Sequence, residues 1–159
     1  MNTQFHRYFR VILLSAGLAV GAASGPASAV KQTGGEYNTL FAGLGAKGYD
    51  VVAYFVNGGA SQGSERHTLE YGGVTWRFAT RENRDLFAGD PVKYAPQYGG
   101  FCAWGVSQGK LFDVDPVNGW RIVGGKLYLN FNADINGMFG KDSSGFIAKA
   151  SQNWPALNR

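Results

Sequence analysis

Cys102 is the only cysteine in the 159 residues, and it sits in the most unusual stretch of the chain, Lys93-Tyr94-Ala95-Pro96-Gln97-Tyr98-Gly99-Gly100-Phe101-Cys102-Ala103-Trp104-Gly105-Val106. As a thiolate it is a ligand for a soft ion such as copper, or a redox thiol if a cation such as Lys93 or Lys110 depresses its pKa. As a thiol it is a small apolar residue packed under the rings of Tyr98 and Trp104. Asp50 is the second residue with two readings. It could supply an oxygen ligand or a general base, or it could cap the turn it stands in by accepting backbone N–H groups. Tyr98, Phe101 and Trp104 together could line an apolar pocket of the kind that holds a small ligand.

The other constellations are weaker. His67 follows Cys102 as a candidate nitrogen ligand, but one His and one Cys supply only part of the three or four ligands that zinc takes. Ser64, His67 and Asp50 have the residue types of a hydrolase triad without a G-x-S-x-G elbow, and Cys102 with His67 and Asp50 has no local thiol-hydrolase signature. Asp113, Asp115 and Asn118 are oxygen-rich, yet Pro116 and Val117 interrupt the spacing of a calcium loop, so the stretch reads as a turn. Gly43-Leu44-Gly45-Ala46-Lys47-Gly48 has the glycine spacing of a dinucleotide fingerprint but opens no helix after a strand, so its glycines are turn residues. These readings favour a binding module over an enzyme.

The elements that must position these residues follow from pattern. Tyr49 to Val56 is rich in β-branched and aromatic residues and is expected to be a strand. His67–Tyr71 and Val74–Ala79 flank Gly72-Gly73, and Trp120–Val123 and Lys126–Phe131 flank Gly124-Gly125, which predicts two tight hairpins. Alternation places Val74, Trp76 and Phe78 on one face. Thr80 is an N-cap for a helix from Arg81 to about Ala88 burying Leu86 and Phe87. Asp90-Pro91 starts a short turn of helix. A further helix is expected over Cys102–Gln108 with Gly109 at its end, and two more over Ala133–Lys141 and Ser144–Asn153, with Trp154 and Leu157 closing the core. The expected fold class is α+β, small antiparallel hairpins with three or four short helices.

The N-terminus carries His6, Arg7 and Arg10, an apolar run from Val11 to Ala23, Pro26, and Ala27-Ser28-Ala29. That is the pattern of a secretory signal peptide spanning residues 1–29, cleaved after Ala29. The apolar run is shorter than the ~20 residues of a spanning helix, so no stable membrane span is expected after cleavage. The remaining 130 of the 159 residues make one domain, an irregular N-terminal arm over 30–47 followed by 48–159. Arg7 and Arg10 leave with the signal, which lowers the net charge from +4 to +2. No Lys/Arg run is present, so nucleic acid is not expected as a partner. A single cysteine in an exported chain, periplasmic or secreted, forms no internal disulfide.

Over nearly the whole mature chain, about Asn38 to Leu157, the sequence resembles an exported single-domain YHS domain protein. The likeness rests on Gly48-Tyr49-Asp50-Val51-Val52-Ala53-Tyr54-Phe55, on Phe78-Ala79-Thr80 with Asn83 and Phe87, and on the run from Asp90 to Ala103. It continues in Trp120, Gly125-Lys126-Leu127-Tyr128-Leu129-Asn130, Gly145-Phe146-Ile147-Ala148 and Trp154-Pro155. The resemblance implies a small α+β domain and, in several branches, a metal-binding role. Cysteine-bearing relatives hold thiols at the positions of Ala53 and Ala79. Their absence here leaves Cys102, helped by Asp50, as the expected ligand for a transition metal such as copper. The alternative is a protein–protein or small-ligand binding domain in which the cysteine is purely structural.

Overall fold

The computed structural model describes residues 37–159; the expected signal peptide over 1–29 and residues 30–36 of the expected arm lie outside them. Two antiparallel hairpins supply the strands. β1 (Ser64–Tyr71) pairs with β2 (Val74–Phe78), with Tyr71 opposite Val74 and Leu69 opposite Trp76. β3 (Trp120–Val123) pairs with β4 (Lys126–Leu129), with Val123 opposite Lys126. Both are joined by two glycines, at φ 61° and 76° in Gly72-Gly73 and 58° and 72° in Gly124-Gly125. Positive φ at both central residues turns a hairpin with the twist of its strands, and glycine reaches it without strain.

Among the described residues there are six α-helices, α1 (Ala53–Val56), α2 (Arg81–Gly89), α3 (Pro91–Tyr94), α4 (Ala103–Ser107), α5 (Ala133–Lys141) and α6 (Ser143–Leu157). The class is α+β as expected. The helix count exceeds the expected three or four because α1 and α3 are each four residues long. Side-chain oxygens start most of them. Thr80 accepts from Asn83 N–H, Asp90 from Lys93 N–H, Asn132 from Ile135 N–H and Asp142 from Gly145 N–H. Each satisfies an amide that the helix itself leaves without a partner.

The expected strand over Tyr49–Val56 is not a strand. The chain turns at Asp50, and α1 begins three residues later. Asp50 Oδ1 accepts from the N–H groups of Val52 and Ala53, at 2.9 and 3.2 Å. A buried carboxylate capping successive amides outweighs β-propensity, which chiefly measures fit to a half-buried pleated surface. In α2 the buried residues are Phe87 and Asn83, while Leu86 is 44% exposed, contrary to the expectation that it would be buried.

The core has two parts. One gathers Tyr54, Trp76, Phe78, Phe87, Leu127, Leu129 and Cys102. The other gathers Phe101, Val106, Tyr128, Phe139 and Ala150, with Trp154 and Leu157 packed against it. β4 joins them, because its alternation sends Leu127 and Leu129 to the first part and Tyr128 to the second. The described part of the arm lies on this body. Tyr37 meets Trp76 edge to face at 5.1 Å, and Asn38 N–H donates to the Gly99 carbonyl at 2.7 Å.

Candidate functional site

Cys102 stands at the cap position of α4, and no part of it is exposed. Its sulfur accepts from Gly105 N–H at 3.4 Å, and the N–H groups of Phe131 and Trp104 also face it. The thiol donates towards Asn130 Oδ1 at 3.9 Å. Burial pushes the thiol pKa up, and the three amides only partly oppose that shift. A thiol held protonated and away from water is a poor nucleophile, because that role needs the thiolate.

Asn130 is the residue that sequence reasoning passed over. It is fully buried at the end of the run Leu127-Tyr128-Leu129-Asn130. Its Oδ1 accepts from Trp104 N–H at 3.2 Å, and its Nδ2 donates to Asn136 Oδ1 at 3.3 Å. Asn136 in turn donates to the Trp120 carbonyl at 2.9 Å. One chain of bonds therefore ties Cys102 and α4 to β3 and α5. The visible signal was a polar residue closing an otherwise apolar strand, since a buried amide persists only where it is bonded.

Asp50 belongs to a different network. Its Oδ2 accepts from Ala79 N–H at 2.8 Å and from Asn83 Nδ2 at 2.7 Å, in addition to the two amides on Oδ1. Four donors occupy a carboxylate with no exposed surface. It fastens α1, the end of β2 and α2 to one another. No hydrogen bond links Asp50 to Cys102: the carboxylate bonds amides of α1, α2 and Ala79, and the thiol bonds within α4 and to Asn130. His67 lies half-buried on β1. Among the described residues no group of three or more His, Cys, Asp and Glu side chains could hold a metal ion.

The oxygen-rich loop is a turn. Asp115 Oδ1 accepts from the N–H groups of Val117 and Asn118, and Asp113 pairs with Lys47 at 2.8 Å. The hydrogen bonds from Asn118 hold the Asp115 carboxyl below its ordinary pKa.

The three aromatic residues expected to share a pocket all pack in or against the second part of the core, but they line no common cleft. Phe101 is buried in the second part of the core. Tyr98 lines a cleft that also includes Trp154. Trp104 lines another cleft of about 180 Å³, whose remaining walls are Phe112, Phe131 and Ile135. Two of its wall residues, Trp104 and Phe131, also present their backbone amides to the Cys102 sulfur. Phe131 is 52% exposed and Phe112 is 38% exposed at its mouth. No family model, no curated protein and no solved structure matches the chain. Among the described residues, no helix is long and apolar enough to cross a membrane.

Proposed function

We propose that the protein is an exported binding module of the YHS type that captures one ring-sized apolar group, with Cys102 serving the structure. The observation that carries this reading is the cleft of about 180 Å³ walled only by Trp104, Phe112, Phe131 and Ile135. An apolar cavity of ~150 Å³ is large enough to take benzene. Four apolar side chains without a polar group select by size and hydrophobicity, so the bound group is a single aromatic ring or short aliphatic chain of a small ligand. The Cys102–Asn130–Asn136 chain fixes α4, which bears Trp104, to the segment just before Phe131, which keeps the cleft formed before the ligand arrives.

Copper binding through Cys102 is the competing reading, and it meets two obstacles in this geometry. Burial favours the neutral thiol, and Asp50 is committed to four donors elsewhere. The test of the cleft is titration of the isotopically labelled protein with indole, followed by NMR. The expected result is saturable shifts of the Trp104 and Phe131 amides, lost in Phe131→Asp. Shifts scattered over the surface, or unchanged in that variant, would reject the assignment.

A further inference from the structure

A second cleft, about 270 Å³ in volume, lies where the start of the described chain, the 92–99 stretch and the end of α6 meet. Its chemistry differs from that of the Trp104 cleft. Tyr37, Tyr71 and Trp154 contribute aromatic rings, and Gln97 and Asn158 contribute amides. No charged side chain of the described residues lines it. Asn158 Oδ1 is buried and has no hydrogen-bond partner among the described residues.

The backbone here is held in a costly conformation. Tyr98 sits in the left-handed region at φ 52° and ψ 41°, which a side chain other than glycine adopts at a cost of order 1–3 kcal/mol. Its hydroxyl bonds the Ile147 carbonyl at 3.1 Å and Ser151 Oγ at 3.0 Å, anchoring the cleft to α6. Such strain persists only where the surroundings fix it, and it concentrates at sites that must be formed in advance.

We propose that this cleft binds one neutral carbohydrate ring. The aromatic rings offer apolar faces to the C–H face of a sugar, and the Asn158 and Gln97 amides take its hydroxyls. A charged ligand would find no counter-charge there. A wholly apolar ligand would leave both amides without partners, which is unfavourable in a desolvated site. The volume is just under the ~300–1,000 Å³ of sites for drug-sized ligands, and so fits a single ring. The ring comes either from a free monosaccharide or from the end of a glycan chain, and the mouth at Val92, which is 77% exposed, leaves room for a chain to continue outward.

The experiment is NMR titration of the full protein with N-acetylglucosamine, glucose and a chitotriose, alongside the variants Asn158→Ala and Val92→Glu. Val92 bears on no buried contact, so its variant separates a blocked cleft from a misfolded one. The expected result is saturable shifts centred on Gln97, Trp154 and Asn158, with affinity about tenfold weaker in Asn158→Ala, the loss of one buried hydrogen bond, and with the shifts abolished in Val92→Glu, whose longer side chain blocks the cleft. Binding of the monosaccharides identifies a free ring as the source, and binding of chitotriose alone identifies a chain end. Shifts from none of the three sugars, or shifts that both variants leave unchanged, would overturn the assignment.

Discussion

Substituting Asp50 by Asn separates a structural carboxylate from a ligand more sharply than any other single change. Asn retains the oxygen that caps Val52 and Ala53 but turns Oδ2 into an NH2 group. That group would face Ala79 N–H and Asn83 Nδ2, which now donate to Oδ2 at 2.8 and 2.7 Å. Two bonds to a charged acceptor are lost, and three donors meet in a site without water. At ~1.5–3 kcal/mol for each such bond the loss is about 3–6 kcal/mol. A domain of this size is stable by ~5–15 kcal/mol, so the loss is a large fraction of the whole. With a urea slope of ~2 kcal/mol/M, the unfolding midpoint falls by roughly 2 M. The assay is urea unfolding followed by far-UV circular dichroism, with Asn83→Ala as the milder control that removes one donor. A midpoint within about 0.3 M of the parent, using the same slope, would refute the reasoning and return Asp50 to the list of candidate ligands.

Alkaline pH is expected to destabilise the fold. Burial raises the pKa of Cys102, Tyr54, Tyr98 and Tyr128, so the unfolded chain releases these protons first. Stability is therefore full below the ordinary thiol and phenol values of 9.0 and 10.0 and falls as pH rises through and above them, which thermal unfolding at stepped pH would show. Cys102 should resist a maleimide reagent in the native protein and react within the time of unfolding in urea; rapid native labelling would contradict the burial argument. Gly119→Ala should lower stability by ~1–3 kcal/mol, because the added carbon would lie 2.2 Å from the Asn130 carbonyl and 2.8 Å from that of Asp115. The same variant should disturb the Trp104 cleft through Asn130, read as altered Trp104 and Phe131 amide shifts.

The parts of the fold written in local chemistry were legible. Two glycine pairs between alternating strands predicted both hairpins, and Thr80 and Asp90-Pro91 predicted where α2 and α3 begin. The failure at Tyr49–Val56 came from reading side-chain type without asking where the Asp50 carboxylate would point. Buried helices and buried strands share an apolar composition, and here the capping interaction decided between them. Leu86 failed for a related reason, since Asn83 took the inward position to reach Asp50. The site was less legible than the fold. Trp104 lay in the stretch singled out, but Phe112, Phe131 and Ile135 come from separate segments that only tertiary folding gathers. Asn130, which bonds both the thiol and the Trp104 amide, is marked in sequence only as a polar residue closing an apolar strand, and its partners appear only in the fold.

Two roles are proposed: the Cys102 thiol serves the structure, and the cleft walled by Trp104, Phe112, Phe131 and Ile135 binds. The most direct test is to titrate the protein and its Cys102→Ala variant with Cu(I) and with indole under the same conditions, followed by metal analysis and NMR. Both forms are expected to bind indole at Trp104 and Phe131, and substitution is expected to remove no stoichiometric copper. One copper per chain in the parent and none in Cys102→Ala would contradict the structural role and make Cys102 a metal ligand.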